Sequence, residues 1–283
     1  MTTILSIQST VAYGHVGNSA VTFPLMRLGV EVWPVITVHF SNNTSYDQWT
    51  GPMLRPEDVY DVVAGLDALG VLGEVDAVLT GYQGAPEMGS QILRIAELVK
   101  QRAPEAVWCC DPVMGDVGLG MYVLPGIPEF MRDEVVPASQ IITPNHYELN
   151  FLAGRETSTV EDIVDAAQAL RASGPETVLV TSALVDGAPE DELSLIAVDG
   201  EGAWRVRTPR MNYYYTGSGD LTSAMFLHHW LRSRSLPEAL GRTADVVYSV
   251  LEKTKELGRR ELALVQGQDL LANPTAHFEV MPI

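Results

Sequence analysis

Short apolar runs alternate with longer amphipathic segments along most of the chain, and this alternation constrains its fold more than any other feature. The runs are rich in Val, Ile and Leu, and they lie at 4–7, 32–38, 77–79, 106–110, 141–142 and 178–180. Continuous apolar strands separated by helices are typical of parallel sheets that are covered on both faces. We therefore predict an α/β fold, a three-layer α/β/α sandwich with a mostly parallel central sheet.

The segments between these runs carry helix signals. Pro56 and Pro86 are each followed by acidic residues, as expected in the first turn of a helix. The spacing of apolar residues predicts two further helices, over 159–170 and 236–257.

One segment breaks the alternation. Residues 193–198 and 203–206 flank a glycine-containing turn, which predicts an antiparallel β-hairpin at one end of the sheet. The chain contains no internal repeat, low-complexity tract or linker. We expect residues 1–283 to form a single domain.

Polar residues follow the predicted strands where each strand gives way to a loop. In open α/β sheets, ligands bind outside the carboxyl ends of the strands. We therefore expect several separate stretches to meet in one crevice. They are Ser9, Gly81 with Tyr82, Asp111, 143–145 and Thr181.

The segment 216–220, Thr-Gly-Ser-Gly-Asp, leads directly into an apolar pattern with helical spacing. Glycines allow positive φ and bring main-chain N–H groups close together, and such groups at a helix N-terminus bind anions. We predict that the N–H groups of Gly217, Ser218 and Gly219 stabilise a phosphoryl group during its transfer. Asp220 is placed to take a proton from the attacking hydroxyl. Glycine turns also begin helices for geometric reasons alone, so the pentapeptide by itself leaves both interpretations open.

Other motifs for nucleotide or acyl chemistry are missing from the sequence. The chain has three lysines and none follows a glycine, so the P-loop pattern G-x-x-x-x-G-K-[ST] does not occur. Neither the G-x-S-x-G elbow of α/β-hydrolases nor the G-x-G-x-x-G of dinucleotide-binding folds occurs either.

Charge and cysteine content limit the partners and the compartment. The formal net charge is −18, which disfavours nucleic acid and anionic membranes as partners. Cys109 and Cys110 are adjacent in an apolar run, so their side chains are expected on opposite faces of a strand without a disulfide. With no signal-peptide pattern and no long apolar stretch, we expect a soluble, cytoplasmic protein.

These residues together resemble the pyridoxal kinases of the ribokinase-like superfamily. The glycine turn alone indicates only the superfamily, whereas the early stretches are those typical of pyridoxal kinases. The matching stretches are 8–9 (QS), 13–20 (YGHVGNSA), 40–44 (FSNNT), 80–82 (TGY), 110–116 (CDPVMGD), 142–145 (ITPN) with Glu148, and 217–222 (GSGDLT). They span almost the whole chain.

The resemblance implies ATP-dependent phosphorylation of the 5′-hydroxymethyl group of pyridoxal, and leaves pyridoxine and pyridoxamine open as further substrates. It implies that hydrogen bonds from polar side chains hold the vitamin and that flat apolar walls enclose its ring. The polar residues are Ser9, Thr44, Ser45 and Asp220, and the walls are Val16, Phe40 and Tyr82. Core packing is the alternative for Val16 and Phe40, and a hydrogen bond to main chain is the alternative for Ser9.

For ATP, the resemblance implies binding by Asp111, Thr143, Glu148, Thr181, Thr216 and Gly217. Mg²⁺ accompanying ATP would be held by Asp111 and Glu148, which suit a cation that keeps several waters. A requirement for a monovalent cation stays open. The structural alternatives are a cap before Pro112 for Asp111 and a solvated helix position for Glu148.

Two features depart from the family pattern. Several bacterial members carry Lys where this chain has Thr181, and the tyrosine run 213–215 before the glycine turn is not the commonest form.

The resemblance implies a homodimer. A kinase of another hydroxymethyl heterocycle, such as hydroxymethylpyrimidine, and a non-catalytic vitamer-binding protein stay open as alternatives.

Overall fold

The computed structural model describes residues 1–211 and 213–283, and every element below lies within these ranges. The strands are β1 (Thr3–Val11), β2 (Glu31–Phe40), β3 (Ala77–Thr80), β4 (Val107–Cys110), β5 (Gly115–Asp116), β6 (Gly120–Met121), β7 (Ile141–Ile142), β8 (Thr177–Ala183), β9 (Glu192–Val198), β10 (Ala203–Pro209) and β11 (Val280–Pro282). The helices are α1 (Asn18–Arg27), α2 (Pro56–Leu69), α3 (Met88–Arg102), α4 (Ile127–Phe130), α5 (Val136–Ala138), α6 (His146–Ala153), α7 (Val160–Arg171), α8 (Ser218–Ser233) and α9 (Leu236–Glu256).

A nine-stranded sheet organises the described part of the chain, with the strand order β11-β10-β9-β8-β7-β4-β3-β1-β2. The strands from β2 to β8 in this order pair in parallel, whereas β9, β10 and β11 pair antiparallel. The predicted mostly parallel sheet is confirmed. So is the antiparallel hairpin, which is β9 and β10, although it does not form the edge, because β11 pairs outside β10.

Helices cover both faces of the sheet and bury two apolar layers. One layer packs the side chains of Leu5 and Cys110 with α2, α3, α6 and α7. The other packs Ile4 and Cys109 with α1, α8 and α9. Neighbouring residues of a strand therefore face opposite layers, as the pleat requires. Cys109 and Cys110 are both buried free thiols, and burial raises the pKa of Cys110 to about 12.

Two further features complete the description of the fold. A separate two-stranded sheet, β5 with β6, follows the end of β4. Within residues 1–211 and 213–283, no helix combines the length and the apolar character needed to cross a membrane.

Candidate active site

The carboxyl ends of β4 and β7 meet the first turns of α8. The Ser223 hydroxyl donates to Asp111 Oδ2 at 3.0 Å and lies 2.7 Å from Thr143 Oγ1. These three side chains are buried. The structure thus brings Asp111 and Thr143 together, as the sequence predicts, and adds Ser223, which lies one helical turn after Gly219.

The glycine turn is the N-terminus of α8. Gly217 is left-handed, with φ +88°, and a Cβ there would lie 1.9 Å from the carbonyl oxygen of His15. Gly219 is different, because there is room for a side chain. The nearest atom that a Cβ at Gly219 would meet is Asp111 Oδ2, at 4.0 Å. The N–H of Ser218 already donates to the carbonyl of Tyr215 at 3.2 Å, so the amides of Gly217 and Gly219 are the better placed of the predicted three to receive an anion.

Asp220 lies in the first turn of α8. The main-chain N–H of Gly17, in the loop after β1, faces its carboxyl group and lowers its pKa. Burial raises the pKa of Asp220 to about 6, against the hydrogen bonds that lower it. A carboxyl with this pKa is mostly ionised at neutral pH and is still a stronger base than an ordinary aspartate.

Asp220 is the first of three carboxyl groups that interact in sequence, with Asp111 next to it and Glu148 next to Asp111. Burial and the charge of Asp220 raise the pKa of Asp111 to about 8. Burial and the charge of Asp111 raise the pKa of Glu148 well above its ordinary value. Like charges in a desolvated cleft disfavour one another, so such a cluster favours a bound cation.

Two alternative roles are wrong: Asp111 is not a cap before Pro112, and Glu148 is not a solvated helix residue. Glu148 is 3% exposed, and its oxygens accept the N–H groups of Met114 and Asn145, each at 2.9 Å. It forms a capping box with Asn145, so it is not a solvated helix residue. The Asp111 side chain bonds to Ser223 on α8 and does not cap its own loop.

The carboxyl cluster fits Mg²⁺ held mainly through water and phosphate. Among the described residues, no three His, Cys, Asp or Glu side chains converge to form a cage. Mg²⁺ usually binds proteins through one or two carboxylates and keeps several waters. Because both Glu148 oxygens already accept main-chain N–H groups, Asp111 is the better direct ligand and Glu148 suits a water-mediated contact.

The predicted apolar walls form one cluster. Val16 and Tyr82 are partly buried and pack against Phe40, Val11 and Val38. This cluster is separate from the two layers that cover the sheet. The three predicted wall residues therefore lie together, and because Phe40 is 3% exposed within this smaller cluster, packing stays open as an alternative role for it.

The predicted polar residues for the vitamin occupy two places. Ser9 is buried at the end of β1. Gly17 packs closely against it, because a Cβ on Gly17 would lie only 2.4 Å from the Ser9 hydroxyl oxygen. Thr44 and Ser45 are exposed in the loop after β2. The Ser45 hydroxyl lies 3.4 Å from Thr216 Oγ1, so this loop reaches the glycine turn.

Thr181 and the tyrosine run lie near the ends of β8 and β5. Thr181 is buried, and its N–H donates to the carbonyl of Pro144 at 2.8 Å, which joins the ends of β7 and β8. Tyr214 is exposed, and its hydroxyl faces the Asp116 carboxyl in β5, whose pKa burial raises and this hydroxyl lowers. Tyr214 therefore lies beside the β5–β6 sheet.

Sequence reasoning missed two polar residues that organise this region, Ser223 and Glu261. Asn145 lies in the predicted stretch 143–145, but its capping role was not predicted, although Asn followed three positions later by Glu is a capping signature. Ser223 had a weak signal in its spacing from Gly219. Glu261 had none, since its partners lie more than 200 positions earlier in the chain.

Comparison with known proteins gives consistent matches. A sequence profile of the family described as phosphomethylpyrimidine kinase matches residues 38–264. Pyridoxal kinase PdxY of Leifsonia xyli is 49% identical over 277 residues, 98% of each chain. Pyridoxal kinase PdxY of Rubrobacter xylanophilus is 51% identical, over 98% of this chain and 96% of that one. The structure of pyridoxal kinase from Leishmania donovani with ADP and pyridoxine superposes with a TM-score of 0.91 at 29% identity, over 99% of both chains.

Proposed function

The chain belongs to the pyridoxal kinases, within the wider phosphomethylpyrimidine kinase family, and from this premise we propose how its residues carry out the reaction. The enzyme transfers the γ-phosphoryl group of ATP to the 5′-hydroxymethyl group of pyridoxal, giving pyridoxal 5′-phosphate in vitamin B6 salvage. One observation carries the assignment of roles. The carboxyl of Asp220, with a pKa of about 6, lies at the N-terminus of α8 beside the glycine turn.

The vitamin binds between the apolar cluster and the loop after β2. Val16, Phe40 and Tyr82 enclose the pyridine ring, which their shared cluster supports. Ser9, Thr44 and Ser45 hydrogen-bond its polar substituents. This arrangement directs the 5′-hydroxymethyl group toward Asp220.

Asp220 removes the proton of that hydroxyl as its oxygen attacks the γ-phosphorus. A new P–O bond forms, the bond to the β–γ bridging oxygen breaks, and ADP leaves with that electron pair. The N–H groups of Gly217 and Gly219 stabilise the negative charge on the transferring group. Ser218 joins them only if its N–H leaves the Tyr215 carbonyl.

The nucleotide binds on the other side of the glycine turn. Asp111, Thr143, Glu148, Thr181 and Thr216 surround the ATP phosphates in this proposal. Mg²⁺, when bound beside Asp111 and Glu148, would neutralise phosphate charge. Support comes from the raised pKa values of both carboxyl groups, which burial and then the charge of a neighbouring carboxylate cause and which a bound cation would offset.

Asp111→Asn tests the cation role. In the metal-free enzyme we expect this variant to raise the melting temperature at pH 8 by about 2 °C or more, because it removes a buried charge. The folded chain binds the Asp111 proton more tightly than the unfolded chain does. The wild type therefore loses stability relative to the variant as pH rises from about 4 to about 8, the pKa of Asp111 in the folded chain. Thermal unfolding at pH 4.5 and pH 8 measures this.

The same variant should raise the KM for Mg-ATP by about tenfold or more, because it removes a cation ligand. Asp61→Asn, an exposed position on α2, serves as the matched control and should change neither quantity. An Asp111→Asn enzyme with wild-type KM for Mg-ATP would contradict the cation role.

Parallel turnover assays test the function. With Mg-ATP, we expect kcat/KM for pyridoxal to exceed that for hydroxymethylpyrimidine, which the family profile makes the specific rival. Pyridoxine and pyridoxamine in the same assay define the vitamer range. Preference for hydroxymethylpyrimidine would reassign the substrate, and pyridoxal binding without ADP formation would indicate a non-catalytic binding protein.

We also propose that residues 1–283 form a single kinase domain and that the enzyme is a cytoplasmic homodimer that binds neither nucleic acid nor membrane. The continuous sheet from β2 to β11 supports one domain. The buried free thiols support a cytoplasmic location. The net charge of −18 supports the absence of nucleic acid and membrane partners. Sedimentation velocity measures the oligomeric state.

A further inference from the structure

Glu261 is a buried carboxyl group that takes no part in the chemistry proposed above. It follows α9 and is 3% exposed. Its Oε2 accepts the main-chain N–H of His15 at 3.0 Å. Its Oε1 accepts the Asn43 side-chain amide at 3.2 Å and the Tyr46 hydroxyl at 2.7 Å. Burying a carboxyl group is costly unless it is hydrogen-bonded, and here its bonds go to two loops that are distant in sequence.

The first loop, residues 12–17, is held between Glu261 and the glycine turn. Gly14 has φ +94°, and a Cβ there would lie 2.2 Å from Glu261 Oε2, so the carboxyl fits only against glycine. On its other side, the carbonyl of His15 lies against Gly217. The same loop supplies the Gly17 N–H that faces the Asp220 carboxyl and lowers its pKa.

The second loop, residues 41–50, carries Thr44 and Ser45. The Asn43 side chain that bonds to Glu261 also accepts hydrogen bonds from the main-chain N–H and the hydroxyl of Ser45. On the outer side, the Arg260 guanidinium lies 3.6 Å from the Tyr46 ring centroid and donates to the carbonyl of Ser45 at 2.9 Å. Arg260 and Glu261 thus hold this loop from both sides.

We propose that Glu261 is a positioning residue that assembles the vitamin-binding half of the site. It fixes residues 12–17 and 41–50 relative to each other and to the glycine turn. The inference rests on the proposed function, because these loops carry Val16, Thr44 and Ser45. Within the described residues, Asp111, Thr143 and Glu148 bond to groups other than Glu261, so the nucleotide-binding side chains at the ends of β4 and β7 and in α6 do not depend on it.

Glu261→Gln tests the proposal with almost no change of volume. Every partner of the carboxyl oxygens is a donor, so the amide NH₂ of Gln must face at least one donor. We expect the dissociation constant and the KM for pyridoxal to rise at least tenfold, while the KM for ATP stays within about twofold. Glu252→Gln, an exposed position on α9, is the matched control and should leave both unchanged.

Tyr46→Phe is a milder second variant that removes one of the three hydrogen bonds. We expect the KM for pyridoxal to rise about threefold, and the double variant to bind pyridoxal no more weakly than Glu261→Gln alone. Wild-type pyridoxal binding in Glu261→Gln would overturn the proposal. So would a parallel loss of both substrate affinities and thermal stability, since a purely structural role predicts that result. If Glu261→Gln does not fold, an unchanged KM in Tyr46→Phe overturns it.

Hydrogen exchange in the absence of substrates separates this inference from the proposed function. In Glu261→Gln, amides of residues 12–17 and 41–50 should exchange at least tenfold faster than in the wild type, with residues 141–153 unchanged. A wild-type chain that does not phosphorylate pyridoxal would refute the function and leave this result intact. Unchanged exchange in both loops would refute the positioning role and leave the function intact.

Discussion

Asp220→Asn is expected to lower kcat for pyridoxal phosphorylation by about 10²–10⁴-fold, the usual range for loss of a general base. Asparagine has nearly the same size, and its side-chain oxygen can face the N–H of Gly17 as the carboxyl does. It cannot take up the proton of the attacking hydroxyl. Pyridoxal affinity should therefore stay within about threefold, and steady-state kinetics with equilibrium binding measures both quantities.

The pH dependence of kcat/KM gives the same residue a second test. Because the pKa of Asp220 in the substrate-free enzyme is raised to about 6, wild-type kcat/KM should fall as pH drops below about 6 and the carboxyl takes up its proton. The residual activity of Asp220→Asn should lack the part of this decline that Asp220 causes. Asp61→Asn on α2 is the control for loss of an acidic residue. Near-normal turnover by Asp220→Asn would remove this residue from the mechanism.

Alanine substitutions at Gly219 and Gly217 should have different effects: the first should lower kcat alone, and the second should lower both stability and activity. Gly219→Ala meets only Asp111 Oδ2, at 4.0 Å, so the folded chain accommodates the methyl group. The methyl group would occupy space beside the amide that receives the phosphoryl group. We expect kcat to fall about 10²-fold, as for the loss of one oxyanion donor, with the melting temperature within about 2 °C of wild type.

Gly217→Ala should lose both stability and activity. Its φ of +88° disfavours alanine, and the Cβ would lie 1.9 Å from the carbonyl of His15. We expect a melting temperature several degrees lower, together with loss of turnover. Gly65→Ala on α2, where a Cβ has open space around it, is the control: it should leave turnover unchanged and should not lower the melting temperature. Wild-type activity in Gly219→Ala would contradict the role of the glycine amides.

The sheet and the location of the site were predictable because they follow local patterns. The apolar runs predicted the parallel strands, and polar residues at their ends placed Asp111 and Thr143 at one edge. Glycine followed by helical spacing predicted the start of α8. Each signal lies within a few residues of the element it describes.

The parts that sequence reasoning missed depend on contacts between distant segments or on very short strands. β5, β6 and β11 span two or three residues each, too few to establish a period. Glu261 contacts Asn43 across 218 positions, and no local pattern marks such a pair. The engaged N–H of Ser218 depends on how the chain turns at Tyr215, which the glycines permit but do not determine.

Transfer of label from ATP with a marked γ-phosphate tests the central claim most directly. With saturating pyridoxal and Mg²⁺, the wild type should place the label on the 5′-oxygen of the vitamin, with one ADP formed for each pyridoxal 5′-phosphate. Asp220→Asn, saturated with both substrates, should transfer label at least about 10²-fold more slowly. Equal rates in the two proteins, or label released by the wild type only as inorganic phosphate, would contradict the account.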